Sequence, residues 1–187
     1  MSHYEIREFQ KQAKRLKDAF KKTEDKTWTI ETLCLELIVQ FGHLVYVNWK
    51  DVLLQNEPYI LVSPSLSDEL CDVLFQVLNV ANCLDIDIET VLISEKEDML
   101  LYTDSLEEIM IQLNNSIGIL FDSILRLQKY KESQHYGDKL LKKELNRQIV
   151  ILLKAIEKLG YISNIDIYDE YSKMISSSYE YLEQYEE

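Results

Sequence analysis

Residues 69–89, ELCDVLFQVLNVANCLDIDIE, decide the fold of this chain. Apolar side chains recur in this stretch at intervals of three and four residues, which is the pattern of a largely buried helix. Two aspartates, Asp85 and Asp87, then mark a tight turn. Two acids, Glu69 and Asp72, interrupt the apolar pattern with i, i+3 spacing, which places both on one helix face. A buried helix carrying an acidic pair is therefore the first prediction.

The same periodicity predicts further helices on both sides of this one. The helix over 30–49 is apolar around so much of its circumference that we expect it to be largely buried. Both prolines, Pro58 and Pro64, fall in a predicted loop over 55–65, and Gly160 is placed like a helix C-cap. Only 4 Gly and 2 Pro in 187 residues also favour an all-α fold. The other predicted helices cover about 4–22, from the Asp85 turn to about 101, 105–131, 139–159 and 166–185.

The chain contains a weak internal repeat. One mid-helix glycine, Gly42, aligns with Gly118, and ELCDVLFQVLNVANCLDIDIE aligns with residues 144–170, ELNRQIVILLKAIEKLGYISNIDIYDE, after a four-residue insertion. Any two amphipathic helices can be aligned by their apolar stripes, but the shared glycine and helix-ending segment favour true repetition. We therefore predict an antiparallel helical bundle with a pseudo-twofold repeat, in which halves 1–101 and 102–187 pack as one compact unit.

Composition excludes several classes of function. The formal net charge of −13 repels phosphate backbones and anionic bilayers, so neither nucleic acid nor a membrane surface is an expected partner. No uninterrupted apolar run approaches the roughly 20 residues needed to cross a bilayer. The charged N-terminus is unlike a secretory signal, and three cysteines without paired spacing indicate reduced thiols. These features predict a cytoplasmic protein.

Three segments together resemble a known family. The run 27–44, TWTIETLCLELIVQFGHL, the proline-containing loop and the run 68–89, DELCDVLFQVLNVANCLDIDIE, are similar to the MazG and dCTP pyrophosphatase group of all-α nucleoside triphosphate pyrophosphohydrolases. The resemblance is clearest over about 5–101, and about 104–175 is similar to a more diverged copy. It implies Mg²⁺-dependent hydrolysis of a nucleotide to monophosphate and pyrophosphate. It also implies assembly from repeated units, so the chain could be an internal pseudo-dimer or could pair again as a homodimer.

The sequence departs from the acidic motif of this family. Glu69 and Asp72 match its E-x-x-D, but Gln40 and His43 stand where its E-x-x-E should fall. Glu36 lies one turn before Gln40 and could supply a replacement carboxylate. We therefore predict a rearranged site for Mg²⁺ or Mn²⁺, with Glu36, Glu69 and Asp72 as metal ligands and with Gln40 and His43 in catalytic roles. A polar network between helices that holds no metal explains the same residues.

Three more residues are candidates for contact with a nucleotide. Asn79 and Asn82 follow Asp72 by two and three turns and could reach a sugar or base, and Lys96 could bind phosphate. Each has an ordinary alternative, since asparagines bond across helix seams and exposed lysines are usually solvated. In the second half Arg147 replaces an acid, and we predict that it pairs with Glu144.

Three functions remain open from the sequence. The chain could be a pyrophosphohydrolase with a degenerate acidic site, or a catalytically inactive relative that binds a nucleotide or a protein partner. It could also be a helical scaffold that shares only the architecture.

Overall fold

The computed structural model describes residues 3–21, 23, 28–53, 65–94, 103–131 and 137–184, and all regular structure in these ranges is α-helical. The all-α prediction is therefore confirmed. The helices are α1 (His3–Phe20), α2 (Ile30–Leu53), α3 (Leu66–Cys83), α4 (Ile88–Ser94), α5 (Leu106–Leu127), α6 (Asp138–Ile162) and α7 (Ile167–Glu183). Helix α4 ends at Ser94, and the remainder of its predicted span to about 101 lies outside the described residues, as does most of the predicted loop over 55–65.

Side-chain oxygens cap the starts of five helices, with Thr29 capping α2 and Asp87 capping α4. Ser65 accepts a hydrogen bond from the backbone N–H of Asp68 at 3.5 Å, and Ser105 accepts one from that of Glu108 at 3.4 Å. Asp166 accepts two such bonds at the start of α7. Each cap satisfies backbone donors that have no partner within the helix. The start predicted for the helix over 105–131 coincides with one of these caps.

Helix α3 lies at the centre of the fold. It packs against α1, α2, α6 and α7, while α5 packs mainly on α6. Because neighbours cover α3 on several sides, every residue from Glu69 to Ala81 except Asp72 is buried. Neighbouring helices contribute Ile6, Leu33, Leu113 and Ile156 to the same core.

Helix α2 is less buried than predicted. Leu33, Leu37 and Leu44 enter the core, but Leu35 is 63% exposed, Ile38 49% and Val39 46%. The expectation of burial was wrong because α2 packs mainly on α3 and touches α5 only slightly. Ile30–Trp49 is also long and apolar enough to cross a membrane by length and mean composition, with 28% of that window buried, although Glu31 and Glu36 interrupt its apolar run. Core helices of soluble proteins pass the same test.

Three helix ends in the described residues share one backbone geometry, since after α5 Lys129 has a φ of 63° and the N–H of Tyr130 donates to the carbonyl of Leu125 at 2.9 Å. The other two follow α3 and α6. After α3, Asp85 adopts a φ of 54°, and the N–H of Ile86 donates to the carbonyl of Ala81 at 2.9 Å. After α6, Asn164 adopts a φ of 55°, and the N–H of Ile165 donates to Gly160 at 2.8 Å. Aspartate and asparagine are the non-glycine residues that best tolerate this left-handed conformation.

Gly160 is not the C-cap that the sequence suggested. Helix α6 continues to Ile162, and Asn164 takes the left-handed position instead. Gly160 is needed for packing, because a Cβ built on it would lie 2.5 Å from Cγ1 of the buried Ile167 side chain. The start of α7 therefore rests directly on the backbone of α6.

We expect Gly160→Ala to lower the free energy of unfolding by about 1–3 kcal/mol, since Ile167 must move within a packed core. Gly42→Ala is the matched control, because nothing lies within 4 Å of a Cβ at that mid-helix position. The control should gain up to about 1 kcal/mol from helix propensity. Urea denaturation of both variants measures the difference, and an equal effect at the two positions would contradict this packing.

Candidate functional site

The predicted site lies on the seam between α2 and α3. The two helices run antiparallel. His43, towards the end of α2, lies against Glu69 near the start of α3. At the other end of the pair, Cys34 near the start of α2 is close enough to Cys83 at the end of α3 for Cys83 to contribute to the raised pKa of Cys34. On α3, Glu69, Asp72 and Gln76 follow one another at three and four residues and so share a face. This seam brings polar side chains together inside an otherwise apolar helix pair.

Glu69 and His43 form the closest contact of the site. Glu69 is only 2% exposed, and its Oε2 lies 3.6 Å from Nδ1 of His43. A buried carboxylate is costly unless a cation or hydrogen-bond donors face it. A protonated imidazole would provide such a cation. The structure thus joins two of the five residues predicted to form the metal site.

Asp72 has a strongly perturbed carboxyl group. Burial is the main cause, and together with the neighbouring charges of Asp68 and Glu69 it raises the pKa of Asp72 to about 7. Within the described part of the chain, no hydrogen bond or ion pair compensates the Asp72 carboxylate. Asp68, Glu69 and Asp72 thus place three acids within five residues of α3, and the mutual repulsion of their charges favours the protonated form of Asp72.

The α2 residues contribute unequally to this seam. Gln40 lies one turn before His43, and its buried Oε1 accepts no hydrogen bond from the described residues. Glu36 lies a further turn away, is partly exposed, and makes no ion pair with a described residue. In the described ranges no three His, Cys, Asp or Glu side chains are grouped closely enough to hold a metal ion. The assignment of Glu36, Glu69 and Asp72 as metal ligands stays a prediction.

The two candidate asparagines serve the fold. Asn79 is completely buried and donates to the carbonyl of Phe75 at 3.1 Å. Asn82 donates to the carbonyl of Gln10 at 3.0 Å. Their nucleotide contacts stay predictions, and the third candidate, Lys96, lies outside the described residues.

Gln10 is a structural residue that sequence reasoning missed. Its Nε2 donates to the carbonyl of Ile86 at 2.7 Å, and its Oε1 accepts from the N–H of Ile88 at 3.2 Å. Together with the Asn82 bond, these contacts fasten α1 to the turn between α3 and α4. Nothing in the sequence singled out Gln10, because α1 carries many polar side chains on its outer face.

Gln76 is the functional candidate that sequence reasoning missed. It is 4% exposed, and its Oε1 accepts no hydrogen bond from the described residues. Its spacing of seven residues from Glu69 placed it on the acidic face, and that spacing was the available signal. A buried amide oxygen beside two carboxylates extends the set of oxygen atoms along α3.

The second half compensates its charges internally. Arg147 pairs with Glu144 at 3.4 Å, as predicted, and Nε2 of Gln148 donates to the same Glu144 oxygen at 2.5 Å. Glu144 is therefore neutralised by its own helix, in contrast to Asp72 in the first half.

Comparisons of the chain with family models, curated proteins and solved structures find no match in any of the three. The resemblance to the MazG group therefore rests on the residues quoted above.

We expect Asp72→Asn to raise the melting temperature at pH 8 and to leave it nearly unchanged near pH 4. Folding raises the pKa of Asp72 from 3.8 to about 7, so the native state holds this proton more tightly than the unfolded chain does. The stabilising contribution is complete below about pH 4 and is lost as the pH rises through 7. Calorimetric melting across this range tests it, with the exposed Glu180→Gln as control. A gain independent of pH would contradict the assignment.

Proposed function

We propose that the chain is a metal-dependent nucleoside triphosphate pyrophosphohydrolase of the MazG-like type with a reduced acidic site. The supporting observation is the α3 face, where Glu69 and the uncompensated Asp72 lie one turn apart and His43 faces Glu69 from α2. Helices in a core rarely carry two such acids without a cation to offset them. A bound divalent cation would supply that charge.

The residues present fit a divalent cation in part. Glu69 and Asp72 offer two carboxylates, and the unpaired amide oxygens of Gln40 and Gln76 are hard ligands suited to Mg²⁺ or Mn²⁺. When bound, such an ion neutralises phosphate charge and lowers the pKa of a bound water. Glu36 would have to move towards the seam to contribute a third carboxylate.

His43 would position the water that attacks the nucleotide. Its Nδ1 lies 3.6 Å from Oε2 of Glu69, which would hold the imidazole ring in place at the seam. An imidazole held in this way can accept a proton from water and release it later. Gln40, one turn away on the same face of α2, would help to orient that water through its amide.

A catalytically inactive relative that binds a nucleotide or a protein partner is the second candidate. The observation that favours it is the Glu69–His43 pair, because this contact can compensate the buried carboxylate without a metal. The lack of a group of three potential ligands among the described residues favours it as well.

The internal repeat is part of the same proposal. The segments that follow α3 and α6 support it, because each places a left-handed residue, Asp85 or Asn164, two positions before an aspartate that caps the next helix, Asp87 or Asp166. On this basis residues 1–101 and 102–187 would be related halves forming an internal pseudo-dimer. The exposed apolar side of α2, described above, could pair the chain with a second copy. A cytoplasmic location accords with the free thiols of Cys34, Cys71 and Cys83.

The decisive experiment measures pyrophosphate release from a panel of nucleoside and deoxynucleoside triphosphates with Mg²⁺ or Mn²⁺. We expect metal-dependent turnover that Glu69→Gln lowers on the order of 100-fold or more, since even residues behind the metal ligands are worth 10–100-fold. Glu180→Gln on the exposed side of α7 is the control and should keep full turnover.

The outcomes separate the two candidates. Undiminished turnover in Glu69→Gln would overturn the assignment of this site. No turnover, combined with a nucleotide-dependent rise in melting temperature that Glu69→Gln abolishes, would identify the inactive relative. Neither turnover nor a shift in melting temperature would rule out a nucleotide at the α2–α3 seam.

A further inference from the structure

Helix α2 carries a row of apolar residues on the side that faces away from α3. Leu35, Ile38 and Val39 are each between 46% and 63% exposed, and the exposed Gly42 continues the row by a further turn. The helical repeat places these four residues opposite the leucines by which α2 enters the core. A helix at the surface of a protein normally carries polar side chains on that side.

The composition of α2 is that of a helix covered on all sides. Between Ile30 and Trp49 the charged side chains are Glu31 and Glu36, and only 28% of this window is buried. A helix that is apolar around its whole circumference is ordinarily buried, and neighbouring aliphatic side chains left exposed together mark an interaction surface. The exposed row therefore requires a partner that covers it.

The spacing of the row identifies a second copy of the chain as that partner. From Leu35 to Gly42 the intervals between row residues are three, one and three, so the row reads the same in both directions. A second α2 related by a twofold axis between Ile38 and Val39 runs antiparallel and presents the same row. Such self-complementarity is what an isologous twofold interface requires.

Gly42 provides the space that this pairing needs. In the antiparallel register, Leu35 of each copy faces Gly42 of the other, and Ile38 faces Val39. Nothing lies within 4 Å of a Cβ built on Gly42, so the surface above it is open to an incoming leucine. A large side chain packed over a glycine lets two helices approach closely with interlocking surfaces.

The charges of α2 are compatible with this register. Glu31 falls opposite Tyr46 of the second copy and Glu36 opposite Phe41, so neither carboxylate faces another carboxylate of α2. The row is uncharged from Leu35 to Gly42, so charge complementarity does not call for a basic partner instead. The net charge of −13 on each copy still opposes association at long range, and salt screens that repulsion.

We propose that two copies of the chain associate through α2 as an antiparallel twofold pair, in which Leu35 of each copy packs over Gly42 of the other. The pairing rests on the proposed function only for the presence of a second copy. No nucleotide takes part in it, so measurements of mass test it separately from turnover. Three exposed side chains per copy make a contact smaller than the roughly 800 Å² per partner of a standard interface, so we expect a dissociation constant on the order of 10–100 µM.

Sedimentation equilibrium of the full chain from about 1 to 300 µM tests the pairing, and the mass should rise from monomer to dimer across this range. Raising NaCl from about 50 to about 500 mM should strengthen the dimer by screening the repulsion between the copies. Leu35→Glu should abolish it, because the exposed position tolerates a carboxylate in the monomer but the dimer would bury that charge. Ile111→Glu on α5 is the matched control, since Ile111 is 61% exposed and aligns with Leu35 in the internal repeat.

A second set of variants tests the register. Gly42→Leu should leave the monomer folded, because the space around position 42 is open, but it should weaken the dimer about tenfold by filling the space that Leu35 of the second copy needs. Leu35→Ala should weaken the dimer by a similar factor. The double variant should recover most of the loss, because the large and small side chains have exchanged places across the axis.

Three outcomes would overturn the proposal. The first is a chain that stays monomeric at every concentration, including one that instead floats with phosphatidylcholine vesicles, which would assign the row to a bilayer surface. The second is a dimer that Ile111→Glu disrupts as strongly as Leu35→Glu does. The third is a double variant in which the losses from Gly42→Leu and Leu35→Ala simply add.

Discussion

The burial of α3 is the constraint on which the rest of the structure depends. Because α1, α2, α6 and α7 all pack on this helix, its polar side chains have little access to water. Each must therefore find a partner within the protein or bind something from outside. Asn82 donates to the carbonyl of Gln10, and Asn79 donates to that of Phe75 while its own Oδ1 accepts no hydrogen bond from the described residues. Oε2 of Glu69 lies 3.6 Å from His43. Asp72 has no such partner among the described residues, and burial raises the pKa of its carboxyl group.

The helices could be predicted from the sequence because nearly every one has an apolar stripe and clear end signals. Serines at 65 and 105 and the aspartate at 166 marked helix starts that the structure shows as side-chain caps. The neighbours of each helix could not be predicted, since periodicity reports which face is apolar but not what covers it. This limit explains α2, whose apolar side chains at 35, 38 and 39 are exposed although their pattern suggested burial.

The sequence indicated which residues lie at the α2–α3 seam better than it indicated how they are arranged there. The spacing of Glu69 and Asp72 placed both acids on one face, and the antiparallel pairing then brought Glu69 against His43. Glu36 lies a further turn along α2 and is partly exposed, and its role as a ligand stays a prediction. Gln10 was unpredictable for a related reason, because its partners Ile86 and Ile88 lie far away in the sequence.

The helix pairs α2–α3 and α5–α6 differ in which buried polar group lacks a partner among the described residues. In the second half, Arg147 and Gln148 both reach Glu144, so the carboxylate is neutralised and an amide oxygen is what remains unsatisfied. In the first half, Asp72 lies beside Asp68 and Glu69, so a negative charge is what remains. An unsatisfied charge attracts a cation over several ångströms, whereas an unsatisfied amide oxygen selects a donor at contact distance. If the halves descend from one ancestor, substitution of an acid by Arg147 was sufficient to remove the attraction for a cation from one of them. Under the proposed function, a divalent cation is therefore expected at the α2–α3 seam and not between α5 and α6.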